Sequence, residues 1–144
     1  MPDAEGPAAR VLAVDPGAVR VGLALSDPLG ITAQGLETFV RGRGDFLAHL
    51  AVIIEAEGVG ELVVGHPRDL DGGEGEAARA ARRLAERLRR RFGLPVVLWD
   101  ERLTTVQARR AFPPGSRKDW DRVAATLILQ SYLDARAASG GEAP

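Results

Sequence analysis

An α/β fold, a mixed sheet with helices packed on it, is predicted by three features of the sequence. The first forty residues read as three successive strands joined by turns. Beyond them the apolar periodicity switches to helix and strand in alternation. The connections in that second part are long enough to cross over a sheet, which makes the strands they join parallel.

Arg10-Val11-Leu12-Ala13-Val14-Asp15 is a nearly continuous apolar run and predicts a buried strand. From Arg20 to Ser26, Val21, Leu23 and Leu25 alternate with Gly22 and Ala24, the period of a second strand. Asp27-Pro28-Leu29-Gly30 suits a type I turn, so Ile31 to Val40 should return as a third, antiparallel strand. Asp45 can cap a helix carrying Phe46, Leu47, Leu50, Ala51 and Ile54 on one face and ending near Gly58. Glu61 to Gly65 is a short buried strand. After a glycine-rich loop, Ala77, Ala81, Leu84, Ala85 and Leu88 recur at helical spacing and should face the sheet. Gly93 and Pro95 end that helix, and Pro95 to Trp99 is the fifth strand. Thr104 and Gln107 match a capping box, which opens a short helix that must stop before Pro113-Pro114. Trp120, Val123, Ala124, Leu127, Ile128 and Ser131 should line one face of a last helix. The predicted order is βββαβαβαα, a five-stranded mixed sheet in one domain over residues 10–136. The small, polar ends, 1–9 and 137–144, are expected to be flexible.

Composition narrows the classes. Of 144 residues, 45% are hydrophobic and 27% charged, which excludes a disordered chain. No apolar run reaches the length of a membrane span, and the first residues lack the basic and apolar regions of a signal peptide. Zero cysteines exclude disulfides, thiolate metal sites and thiol nucleophiles. A cytoplasmic location is the expectation. Net charge is only −1, but its distribution is uneven. Residues 1–75 carry 5 Arg against 12 acids, and residues 76–144 carry 14 Lys or Arg against 8 acids. The basic half includes Arg79, Arg82, Arg83, Arg87, Arg89, Arg90 and Arg91 on one helix. Arg79 and Arg82 lie toward the end where a polyanion could bind, although a solvated helix face accounts for the same residues.

Ligands of such sheets bind beyond the carboxyl ends of the parallel strands. There the sequence places Asp15, then Gly65-His66-Pro67-Arg68-Asp69, then Asp100-Glu101-Arg102, with Asp121 early in the last helix. Carboxylates from distant segments should therefore meet on one rim. Oxygen donors of this kind suit hard divalent cations, which activate water and stabilise the leaving oxygen in phosphodiester hydrolysis. Each acid has a plainer use: Asp15 as a turn former, Asp121 as a partner of the helix dipole, Glu101 as a mate of Arg102. His66 is a loop histidine on the plain reading. Asp100 should point to the opposite face from Glu101. Arg20, Arg102 and Arg117, with Lys118, flank the acids and could hold phosphate oxygens. Gly22 and Ala24 leave one strand face without bulk, which lets a helix or a substrate backbone approach closely, helix packing being the plainer use.

Four motifs in order resemble the YqgF/RuvX family. They are Asp15-Pro16-Gly17-Ala18-Val19-Arg20-Val21-Gly22-Leu23-Ala24, Val64-Gly65-His66-Pro67 through Asp71-Gly72, Asp100-Glu101-Arg102-Leu103-Thr104-Thr105, and Asp121-Arg122-Val123-Ala124-Ala125-Thr126-Leu127-Ile128-Leu129-Gln130. The resemblance spans roughly residues 10–135. It implies an RNase H-like fold and a nuclease dependent on Mg²⁺ or Mn²⁺. Asp15, Glu101 and Asp121 match the family's acidic triad, as both catalytic groups and metal ligands. Arg20, Arg102, Arg117 and Lys118 are the substrate-binding candidates. The family is described as processing the 5′ end of pre-16S rRNA, and as resolving Holliday junctions. Two departures stand out: Asp119 where the family usually has a basic residue, and His66-Pro67-Arg68-Asp69 where it commonly has Leu-Pro-Leu-Asn.

The reading is a metal-dependent endonuclease acting on pre-16S rRNA, with branched DNA as the second substrate. A two-fold symmetric junction would favour a homodimer. A non-catalytic RNA-binding module for ribosome assembly is the rival from another class. An actin-like ATPase is disfavoured, because the chain leaves no room for a second lobe.

Overall fold

The computed structural model describes residues 9–69, 71–101 and 117–140, with backbone alone for 117–120. Its elements are β1 (Arg10–Pro16), β2 (Arg20–Ser26), β3 (Ala33–Gly35), β4 (Phe39–Val40), α1 (Phe46–Glu57), β5 (Val59–His66), α2 (Glu76–Phe92), β6 (Val96–Asp100) and α3 (Arg117–Ala138). The sheet runs β3-β2-β1-β5-β6, with β4 also on β2. β1 and β2 are antiparallel, while β1, β5 and β6 are parallel neighbours, as the two kinds of connection require. The helix predicted over the segment after Thr104, and the loop at Pro113-Pro114-Gly115, lie outside the described residues.

The expected third strand is one return path in two pieces. β3 pairs Gly35 with Ala24, and β4 pairs Phe39 with Val21. Leu36, Glu37 and Thr38 thus lie opposite only Gly22 and Leu23, a bulge of one residue, and the sheet counts six strands. Asp45 caps α1 by accepting from the backbone N–H groups of Leu47 and Ala48, and Gly58 ends it in a left-handed conformation.

Helices cover both faces. Leu12, Val14, Val21, Leu23, Leu62 and Val64 pack with Leu50 of α1 and with Ala81, Leu84 and Leu88 of α2. Val11, Ala13, Ala24 and Val63 pack with Ala125, Ile128, Leu129 and Tyr132 of α3. Two helix faces differ from expectation. In the first full turn of α2 it is Ala78 that is buried, while Ala77 is exposed. Both positions lie on the apolar side of the helix, so periodicity admits either. In α3 the buried stripe is Ala125, Ile128, Leu129, Tyr132 and Leu133 rather than the Val123, Ala124, Leu127 and Ser131 side. This helix is apolar around much of its girth, so two stripes compete. The one that wins carries small Ala125 toward the small residues of the sheet. α3 also runs to Ala138, which makes 137 and 138 helical rather than part of a flexible tail. Among the described residues, no helix is long and apolar enough to cross a membrane.

Candidate active site

Asp15 is the sixth residue of β1 and faces the α3 side, because Val11 and Ala13 do and side chains alternate. Glu101 follows β6 directly. Gly65 of β5 lies between those strands and leaves the space in which the two acids meet. A Cβ there would stand 2.5 Å from Glu101 Oε1, 3.4 Å from Asp15 Oδ1 and 2.9 Å from Ile128 Cδ1. Asp121 arrives from α3, on the same helical stripe as Ala125, Ile128 and Tyr132. Gly22 of β2 admits it: a Cβ at Gly22 would lie 2.1 Å from the Asp121 carbonyl oxygen. The register sets Gly22 beside Asp15. So the stripe that displaced the expected face of α3 is the one that turns Asp121 toward the rim.

These carboxylates interact strongly. Asp15 is partly buried, and its pKa is pushed up to about 9. Burial is the largest cause, followed by a hydrogen bond shared with Glu101 and by the negative charges of Glu101 and Asp121. A hydrogen bond between two carboxyl groups needs a proton between them. Among the described residues no three acid or imidazole side chains already stand as a formed metal-ligand set. The chemistry of the donors nevertheless fits a hard dication, since all are carboxylate oxygens whose repulsion such an ion would relieve.

The other predicted residues divide. Arg20 is half exposed, with its Nη1 3.9 Å from Asp121 Oδ2. Arg102 lies outside the described residues, as do the side chains of Arg117 and Lys118. Asp100 pairs in register with His66, and Val96 and Leu98 of the same strand belong to the α2 side. Asp100 therefore sits on the face opposite the acids, as alternation predicts.

His66 is on that opposite face as well, so it is neither a loop residue nor a neighbour of the carboxylates. It is the last residue of β5 and buried, and its Nε2 lies 2.6 Å from Glu74 Oε2. Arg82 Nη2 donates to the same Glu74 oxygen at 2.6 Å. Glu74 was not a sequence candidate, because its partners come from a strand end and a helix eight residues away on either side. Arg79 donates from Nη1 to the Glu74 carbonyl and pairs with Glu76. The two arginines singled out as phosphate contacts are thus engaged in tying the 67–75 loop to α2.

Comparisons place the chain among known proteins. The family model described as "RuvX: Holliday junction resolvase" matches residues 9–135. A protein of Geobacillus kaustophilus (strain HTA426) named "Putative pre-16S rRNA nuclease" is 47% identical over 136 residues, covering 88% of this chain and 99% of its own. A Thermobifida fusca (strain YX) protein of the same name is 47% identical over 137 residues, covering 85% and 86%. Among solved structures, T. thermophilus RuvC in complex with a Holliday junction substrate superposes with a TM-score of 0.54 at 16% identity, covering 95% of this chain and 99% of that one. The structure described as Thermus thermophilus RuvC gives 0.52 at 15% identity. At these identities the likeness is one of fold.

Proposed function

The chain belongs to the YqgF/RuvX family, and on that premise we propose that it is a metal-dependent endonuclease that processes the 5′ end of pre-16S rRNA. It is a hydrolase acting on nucleic acid, built on an RNase H-like fold. One observation carries the finer reading: carboxylates of Asp15, Glu101 and Asp121, from three distant segments, interact at the carboxyl edge of the parallel strands.

Asp15, Glu101 and Asp121 would hold Mg²⁺ or Mn²⁺, which supplies water activation and charge stabilisation at the leaving oxygen. Gly65 keeps the floor between Asp15 and Glu101 open. Burial and the neighbouring acids favour the protonated form of the Asp15 carboxyl, and a bound dication would favour the charged form instead. Arg20, beside Asp121, offers its guanidinium to a phosphate of the substrate, and Arg102, Arg117 and Lys118 are the further candidates for substrate contact from the sequence. An rRNA precursor as substrate puts this work in the cytoplasm.

The test sets a pre-16S rRNA fragment beside a four-way DNA junction, each with Mg²⁺, with Mn²⁺ and with chelator. The expected result is metal-dependent trimming of the RNA, lost in Asp15→Asn while binding persists. Preferential cutting of the junction would move the assignment to a resolvase, the activity in the family description. Binding without cleavage in every metal would make the chain an assembly module instead.

A further inference from the structure

On the side of the sheet away from the carboxylates, an open groove of about 590 Å³ runs between the β1–β2 turn and the first half of α2. Pro16, Ala18, Ala77, Ala80 and Leu84 give it apolar walls, and Arg41 and Glu76 are the two charged residues that line it. Its size falls within the range of about 300–1,000 Å³ usual for ligand sites. This groove accounts for the exposure of Ala77, which lines it instead of packing on the sheet.

Arg41 is tied to the turn twice. Its Nε donates to the Gly17 carbonyl at 2.7 Å, and its backbone N–H donates to the Val19 carbonyl at 2.9 Å. Gly17 itself is required by contact: a Cβ there would lie 2.4 Å from the Arg20 carbonyl oxygen. The guanidinium plane is therefore held in place before any ligand arrives, which lowers the ordering cost of using it. At the groove itself the balance is cationic: Glu76 is paired with both Arg79 and Arg83, which leaves Arg41 as its remaining charged lining residue.

Resting on the nuclease reading above, we propose that this groove takes an unpaired nucleotide of the substrate strand, beyond the point where that strand passes the end of β1. The base lies against the apolar walls and the phosphate on Arg41. Three features select this occupant. Apolar walls beside a fixed planar cation match the face of a base joined to an anion. The cationic surroundings suit a polyanion and would not help an apolar peptide or a second copy of the chain. Pro16 lines the groove and follows Asp15 directly, so a strand that leaves the acids around the end of β1 meets the groove there.

The test measures binding in chelator of two labelled RNAs, a blunt hairpin and the same hairpin with a single-stranded tail. The tail should tighten binding by the wild type about tenfold. Ala80→Trp fills the groove and should erase that gain, with binding of the blunt hairpin unchanged. Arg41→Ala, a surface change that leaves the core alone, should also erase it and lower the slope of log affinity against log salt by about 0.7. A tail that gives no gain in the wild type, or the same gain in both variants, overturns the proposal. An unchanged salt slope in Arg41→Ala overturns the phosphate contact. Cleavage of both RNAs with Mg²⁺ is scored separately: a wild type that cuts neither sinks the nuclease reading, and the groove is then judged on the binding arms alone.

Discussion

Toward α1 and α2 the sheet presents Leu12, Val14, Leu23, Leu62 and Val64, whereas toward α3 it sets Ala13, Gly22, Ala24 and Gly65 among the larger Val11, Val63 and Trp99. Bulk on the first side fills space between layers and holds the helices at ordinary distance. Smallness on the second lets the α3 backbone come into direct contact with β2, at Gly22 and Asp121. The acids gather on the side of close approach. The histidine, the ion-paired loop and the apolar groove gather on the other. Stability and site construction are thus assigned to different faces, and substitutions can separate them.

The largest effect should come from Asp15→Asn. Cleavage should fall by orders of magnitude, because the ligand charge is gone. Thermal stability in chelator should rise at the same time. The Asp15 carboxyl is held up to about 9 by burial and by its acidic neighbours, so at neutral pH folding must take up a proton there, which costs stability. Asparagine removes that cost. A melting temperature equal to or below that of the wild type, measured without metal, would break the account of repulsion at this rim.

Next in size is a pair that sharpens the contrast of faces. Leu88 is fully buried under α2, and Leu88→Ala should cost about 2–5 kcal/mol in denaturant unfolding. Its kcat per folded molecule should stay near that of the wild type. Gly22→Ala should cost less, about 1–3 kcal/mol, because one methyl group must push α3 outward. Yet kcat should drop more in this variant, since the atom displaced belongs to Asp121. Equal kcat losses in the two variants would mean that the faces are not separable.

Much of this was legible in the sequence, for reasons that particular residues show. The alternation from Val21 to Leu25 gave the faces of β2, and Gly22 announced the close helix. Asp15, Gly65 and Glu101 could be placed on one rim because each ends a strand whose direction the crossovers dictate. The bulge at Leu36–Thr38 was not read, although Leu36 and Phe39 stand three apart where strict alternation needs an even spacing, because the register that makes this a bulge depends on the partner strand. The true face of α3 escaped because Leu127, Ile128 and Leu129 make it apolar on adjacent sides. Glu74 escaped because an acid in a glycine-rich loop looks solvated until the fold brings His66 and Arg82 to it.

The smallest effect concerns that Glu74 link. Its carboxyl is drawn below the ordinary carboxylate range, first by the hydrogen bond from Arg82, against some desolvation, and then by His66. A lowered folded pKa contributes stability that is present above the unfolded value and is lost as pH falls through the folded one. Glu74→Gln should therefore flatten the acid side of the curve of melting temperature against pH. It should lower the neutral plateau by a small amount, because the link is exposed and screened, and leave the acid end of the curve where it was. Asp27 and Glu76 are held low by their own partners and remain in the variant, so the acid limb becomes shallower without vanishing. Arg79 still donates to the residue 74 carbonyl, which keeps the loop on α2. Cleavage at neutral pH should be unchanged, because the link lies across the sheet from Asp15, Glu101 and Asp121. An acid limb as steep as that of the wild type would show that the link contributes nothing. A fall in cleavage at neutral pH would show that the two faces of the rim work together.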